Sequence, residues 1–315
     1  MGGDRKVMLG KLRDGVMTAA AAPSIAIMNH RRGLTGSHRR HSNVSGRSHP
    51  TRKACQGNQT ASKEPRVKKE DVLKLPSMPA AGPSYPAGPY RFVDREYMVI
   101  TYETDPEVIA EQLPEPLEPM EAPLVHYEWI KMPDSSGFGS YTESGMVIPC
   151  KFRGAEVNFV AQMYLDDDPP IAAGREIWGF PKKYAHPKLQ IVKDTLTGTL
   201  EYGGQLVAMG TMGYKHESMA GNGERTTATL SKTQVNLKLI PGVGGHAEIC
   251  QLVSYNLTDI VVKGSWIGPG RLHLVPHVNA PVADFPVRRT IAAHHFLADL
   301  TLPYGRVLYD YNKEA

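Results

Sequence analysis

From Arg91 onward, hydrophobic and polar residues alternate in short runs broken by glycine and proline, the two-residue period of strands half-buried against a core. The runs predict strands at Tyr97–Tyr102, Leu124–Met132, Val157–Leu165, Leu189–Val192, Thr195–Tyr202, Leu206–Tyr214, Val235–Ile240, Glu248–Val262, Arg271–Val275 and Arg306–Tyr311. Gly203 and Gly204, set between Tyr202 and Gln205, are a two-residue hairpin signal. Helical patterning occurs in two places. Thr104 as N-cap, Pro106 in the first turn and Glu107 three residues after the cap open one helix, whose apolar stripe stops before Pro114. Arg288–Leu300 predicts another. Many strands, few helices, no strand–helix alternation and no internal repeat predict a mainly β (α+β), antiparallel fold with a few short helices, built as a single barrel or a pair of packed sheets.

The front of the chain has neither period. Residues 1–69 hold 15 basic and 3 acidic side chains among Ser, His and Gly, too little apolar surface to offset the entropy of ordering, and are expected to be disordered. Residues 76–90 hold five prolines and two glycines and are expected to form a stiff extended linker. The chain therefore divides into a basic tail and linker over 1–80 and a single domain over 81–315.

This division changes the meaning of the net charge. The whole chain is +4, but the tail alone is +12 and residues 70–315 are −8. A nucleic-acid-binding body would carry its own basic patch, so no nucleic-acid partner is expected. The longest weakly apolar stretch, Val16–Met28, is too short to cross a hydrocarbon layer of roughly 30 Å, and no membrane partner is expected. Cys55, Cys150 and Cys250 form no CxxC pair, which favours a reducing, cytoplasmic setting; the acid-poor leader also fits a mitochondrial targeting segment, interrupted by Asp4 and Asp14.

Two places carry candidate chemistry. Lys182 and Lys183 follow Trp178, Phe180 and Pro181. A lysine is a nucleophile only when neutral, and at an ordinary pKa of about 10.4 roughly 4 in 10,000 are neutral at pH 7. Burial among rings, or a neighbouring ammonium, depresses that pKa. Alternation at 124–132 places Leu124, His126, Glu128, Ile130 and Met132 on one face and Val125, Tyr127 and Trp129 on the other. Both faces look buried, so Glu128 is expected to find a partner or to stay protonated. Glu143, in Tyr-Thr-Glu-Ser-Gly, and Arg95, in Asp-Arg-Glu-Tyr, are candidates to share its site.

From about Gly88 to Tyr311 the sequence resembles the acetoacetate decarboxylase family. The resemblance is carried in order by Gly-Pro-Tyr-Arg-Phe-Val-Asp-Arg-Glu-Tyr (88–97), Leu-Pro-Glu-Pro-Leu-Glu (113–118), Pro-Asp-Ser-Ser-Gly-Phe-Gly-Ser-Tyr-Thr-Glu-Ser-Gly (133–145) and Met-Tyr-Leu-Asp-Asp (163–167). It continues through Gly-Arg-Glu-Ile-Trp-Gly-Phe-Pro-Lys-Lys (174–183), Asp-Thr-Leu-Thr-Gly-Thr-Leu-Glu-Tyr-Gly (194–203) and Thr-Met-Gly-Tyr-Lys-His (211–216). The resemblance implies that Lys182 is the Schiff-base lysine, Lys183 the neighbour credited with lowering its pKa, and Arg95, Glu128 and Glu143 the charged pocket residues. This family is itself the familiar example of an activated lysine. It further implies an antiparallel β-barrel-like fold with additional sheet, and a homo-oligomer that decarboxylates acetoacetate or a longer β-keto acid, of the kind released by polyketide or fatty-acid assembly, without cofactor or metal. A Schiff-base aldolase or dehydratase on the same scaffold is the alternative. If Lys182 and Lys183 lie on an extended strand they point to opposite faces, and desolvation is then the larger cause of activation.

Other motifs read blandly. Asp166-Asp-Asp168 reads as a solvated loop, His294-His295 lack metal-ligand spacing, and Gly242-Val-Gly-Gly245 reads as a turn.

Overall fold

A computed structural model describes residues 67–218 and 223–314. The expectations for residues 1–66, disorder and targeting alike, lie outside the described residues. Residues 76–90 run irregularly into the first strand, and Tyr85 anchors them: its ring is buried and its hydroxyl donates to Glu176 at 2.5 Å.

The strands in chain order are β1 (Tyr90–Glu103), β2 (Leu117–Pro119), β3 (Leu124–Ser135), β4 (Gly139–Phe152), β5 (Ala155–Leu165), β6 (Lys182–Tyr184), β7 (His186–Val192) and β8 (Thr195–Tyr202). They continue with β9 (Gln205–Gly213), β10 (Glu217–Ser218), β11 (Gln234–Pro241), β12 (Ala247–Tyr255), β13 (Thr258–Gly268), β14 (Gly270–Leu274), β15 (Arg289–Leu302) and β16 (Arg306–Asp310). The large sheet runs β10-β13-β15-β1-β3-β4-β5-β11-β12-β16, with β2 on β4 and β6 on β5; the small sheet runs β14-β9-β8-β7. The expected β class holds, although the large sheet stays open. Pairing is antiparallel except where β11 and β6 add in parallel to β5. The second exception seats Lys182.

The two faces of β3 divide the core. Val125, Tyr127 and Trp129 are fully buried toward the small sheet. Trp129 lies flat on Gly198 and Gly210, a cross-strand pair of β8 and β9, where a methyl group would come within 2.3 and 2.4 Å of the indole. Its Nε1 donates to the Thr199 carbonyl at 3.0 Å. The opposite face, with His126, Glu128 and Ile130, lines a cavity. Alternation read at 124–132 is therefore correct, and what its second face borders is a cavity rather than a packed layer.

Three local expectations change. The first helix is Pro106–Gln112, with Asp105 rather than Thr104 at its N-cap; Arg288 grips the Asp105 carboxylate at 2.6 and 2.8 Å. Arg288–Leu300 is no helix: its Ala- and Leu-rich pattern favours one weakly, but β15 pairs with both β1 and β13, and sheet burial outweighs the propensity. Glu248–Val262 is two strands, split at Asn256-Leu257. The Gly-Gly hairpin forms as expected, with φ of 59° and 80° at Gly203 and Gly204.

Candidate active site

The segment 174–183 has a distinct job for almost every side chain. The helix Asp168–Ala173 widens into a π-turn over Gly174–Trp178, and Gly179 closes it with a left-handed φ of 77°. A Cβ on Gly179 would lie 2.4 Å from the Lys238 Cα, so only glycine fits. Trp178 is buried, with Nε1 donating to the Pro303 carbonyl at 2.9 Å. Arg175 donates to the Lys182 carbonyl at 3.1 Å. The chain then enters β6, which pairs Lys182 with Met163 and Lys183 with Tyr164.

Lys182 is 6% exposed, and its Nζ donates to Glu143 Oε1 at 2.6 Å. The ammonium sits 5.1 Å from the Phe180 ring centroid and 5.9 Å from that of Tyr141. Burial lowers its pKa; Glu143 opposes the shift and Arg95 adds to it. Lys183 points the other way, donating to the Asn279 carbonyl at 2.9 Å on the protein surface. The structure does not bring Lys183 into the site, for the reason strand alternation supplies.

Arg95 reaches the cavity because β1 is bulged. The pairing with β15 shifts between Phe92 and Arg95, where Asp94 has a φ of 54°. Without the extra residue Phe92 and Arg95 would face opposite ways; with it both line the cavity. Lys263 holds the bulge through Asp94 and Asp299 at 2.6 and 2.7 Å. The guanidinium lies between the rings of Phe92 and Tyr97, at 5.0 and 4.9 Å, and 3.9 Å from Glu143.

Glu128 faces the same cavity from β3, paired across to Val99 and Gly145. It makes no ion pair or hydrogen bond among the described residues, and burial pushes its carboxyl up to about 7, against the pull of Arg95 and with the help of Glu143. Of the two expected outcomes, a partner or a protonated carboxyl, the raised pKa favours the second below about pH 7. Four of the five candidate residues, Arg95, Glu128, Glu143 and Lys182, converge on one cavity of about 320 Å³.

Sequence reasoning missed the three phenols around this charge cluster, Tyr97, Tyr141 and Tyr255, all raised above the ordinary tyrosine range, first by burial. Tyr97 and Tyr141 were within reach of it, each lying two residues from a candidate on an alternating strand. No group of His, Cys, Asp and Glu arranged to hold a metal occurs among the described residues. No described helix is long and apolar enough to cross a membrane.

Residues 75–312 match the family described as acetoacetate decarboxylase. The chain belongs to that family. Acetoacetate decarboxylase of Burkholderia mallei (strain NCTC 10229) is 55% identical over 235 residues, 75% of this chain and 94% of that protein. That of Burkholderia cenocepacia (strain HI2424) is 53% identical over 246 residues, 78% of this chain and 99% of that protein. The crystal structure of acetoacetate decarboxylase from Legionella pneumophila, 45% identical, superposes with a TM-score of 0.74 over 80% of this chain and 99% of that one. The chain is a carboxy-lyase of the acetoacetate decarboxylase kind, acting on a small β-keto acid through a lysine imine.

Proposed function

We propose that Lys182 is the lysine that forms the imine, that Glu143 and Glu128 manage its protons, and that Arg95 faces the substrate carboxylate. The observation that carries this reading is an amine buried among aromatic rings and hydrogen-bonded at 2.6 Å to a carboxylate.

Glu143 takes a proton from Nζ, leaving an electron pair that attacks the ketone carbon. The proton held by Glu143 then goes to the departing hydroxyl, water leaves, and a cationic imine remains. The bond to the carboxylate breaks, its electrons flow to the imine nitrogen, and carbon dioxide is released. Glu128, with a pKa near 7, delivers a proton to the enamine carbon. Water hydrolyses the new imine to a methyl ketone and free Lys182. Arg95, next to Glu143, supplies the positive charge that orients the acid. In this reading Lys183 takes no part in the chemistry, and no cofactor is needed.

The substrate is acetoacetate or a longer homologue. At the roughly 30 Å³ a water occupies, the cavity has room for more than the few atoms of acetoacetate. Homo-oligomeric assembly belongs to the same reading and is supported by Ile191, Val192, Leu206 and Met209, apolar side chains exposed on the small sheet. Free thiols at Cys150 and Cys250 support a reducing, cytoplasmic setting.

Borohydride reduction in the presence of acetoacetate, with mass spectrometry of the Lys182 peptide and parallel measurement of carbon dioxide, tests the reading. A reduced adduct on Lys182 with gas supports it. An adduct without gas moves the chemistry to aldol or dehydration, and an adduct on a different lysine overturns the residue assignment.

A further inference from the structure

The cavity has two chemically different ends. At the closed end stand Lys182, Glu143, Arg95 and Glu128; the middle is walled by Val99, Val147, Val160, Leu230, Leu257 and Phe296. The open end is lined by Thr101, His126, His294, Thr229 and Lys232, of which Thr229 and Lys232 are exposed. His126 stands two residues from Glu128 on β3, about 7 Å farther along the strand. Thr101 is its cross-strand partner, bonded to His126 Nδ1 at 2.9 Å. His294 lies in the row of Val99 and Glu128, one strand beyond β1.

Lys232 carries the positive charge of this end, while burial first, then neighbouring cations, push His126 down to about 4 and His294 below the ordinary histidine range, so both imidazoles serve here as neutral hydrogen-bonding groups. Among the described residues His126 Nε2 has no partner, and His294 makes no hydrogen bond. Lys232 and His294 both act on His126, and Arg225, at the rim beside His294, acts on His294 in turn. The acids near this end are few. Glu156 meets Lys232 from outside at 3.4 Å, and the carboxylates that line the cavity are Glu128 and Glu143, both toward the closed end. An acetoacetate molecule held at Lys182 would leave this end untouched.

Resting on the decarboxylase reading, we propose that His126, His294 and Lys232 form a second anion subsite, which favours β-keto acids carrying another carboxylate at the far end of a short chain. One acid group meets Arg95, the methylene chain lies along the apolar middle, and the distal carboxylate takes hydrogen bonds from Lys232 and the two imidazoles. The cluster thereby rejects a neutral acyl tail of the same length, which would leave those donors facing methyl groups.

The test compares kcat/KM for 3-oxohexanedioate and 3-oxohexanoate, with acetoacetate as reference. The dicarboxylate is expected to exceed the monoacid by about tenfold, the worth of a charge-assisted hydrogen bond. The ratio between the two falls toward one in the double variant Lys232→Gln, His294→Gln. A wild-type ratio of one, or equal losses on all three substrates in the variant, overturns the subsite; the latter outcome means that the cluster only steers anions inward. Calorimetric titration with hexanedioate and hexanoate, neither of which can form an imine, reads the same preference without turnover. A failed decarboxylase reading shows instead as no gas from acetoacetate, whatever the binding preference.

Discussion

The side chain of Lys182 lies across Gly174 so closely that a Cβ on that glycine would sit 2.6 Å from Cδ and 3.2 Å from Nζ. A helical glycine ordinarily gains stability when replaced by alanine. Here the added methyl displaces the amine from Glu143, and misplacement of a reacting group by about an ångström costs on the order of 100-fold in rate. Gly174→Ala is therefore expected to lose activity by 10- to 100-fold, by that measure, while its thermal midpoint changes little. Steady-state kinetics beside a melting curve decides the matter; unaltered kcat and KM would refute the contact.

Lys182 and Lys183 are adjacent, yet one amine is buried against Glu143 and the other is bound to a surface carbonyl. Activation then comes from burial, with Arg95 as the contributing cation. Lys183→Met is expected to retain substantial activity and an acid limb of the pH–rate profile close to that of the wild type. Near-total loss with the fold intact would restore Lys183 to the chemistry.

The pH profile of kcat/KM should be bell-shaped. The rate follows the product of a neutral Lys182, whose pKa is held below the ordinary lysine range, and a protonated Glu128, pushed up to about 7, and these two requirements supply the rising and falling limbs. Glu128→Gln removes the alkaline limb and lowers kcat by about 100-fold, the lower range for a lost general acid. An alkaline limb that survives the substitution would mean that the carbon proton comes from elsewhere.

Glu128 also carries a signature in stability. Its carboxyl is raised from 4.5 to about 7, so between those values the folded protein binds more protons than the unfolded chain. Stability contributed by this group is complete below pH 4.5, declines through the window and is lost above 7, by at most about 3 kcal/mol. Glu128→Gln should accordingly unfold at a higher urea concentration than the wild type at pH 8, and show less difference from it at pH 4.5. The reverse order would contradict a buried, unpartnered carboxylate.

The slot under Trp129 predicts a purely structural failure. Gly198→Ala places a methyl group into the indole ring, and overpacking of this kind costs about 1–3 kcal/mol. Urea denaturation should show that loss, with residual activity per folded molecule near normal. No change in stability would mean that the two sheets have slack between them.

Much of this protein was written into its local patterns. Alternation at 124–132 assigned the faces of β3, the Gly-Gly pair located a hairpin, and the lysine pair behind an aromatic-rich turn marked a candidate for the chemistry. Such features are legible because strand alternation and tight turns depend on residues only a few positions apart. β15 escaped this logic. Alanine and leucine at helical spacing describe the isolated segment, whereas its place between β1 and β13 depends on residues some 200 and 30 positions away.

The site itself lay beyond local pattern. Arg95, Glu128, Glu143 and Lys182 come from β1, β3, β4 and β6, and what makes them a unit is the order of the strands in one sheet, a bulge at Asp94 and a parallel three-residue strand laid on β5. Spacing in the chain carries no information about those distances. The sequence by itself determined which groups were available and which way each points along its strand; the tertiary structure decided which of them share a cavity. Burial there, more than adjacency to Lys183, lowers the pKa of Lys182.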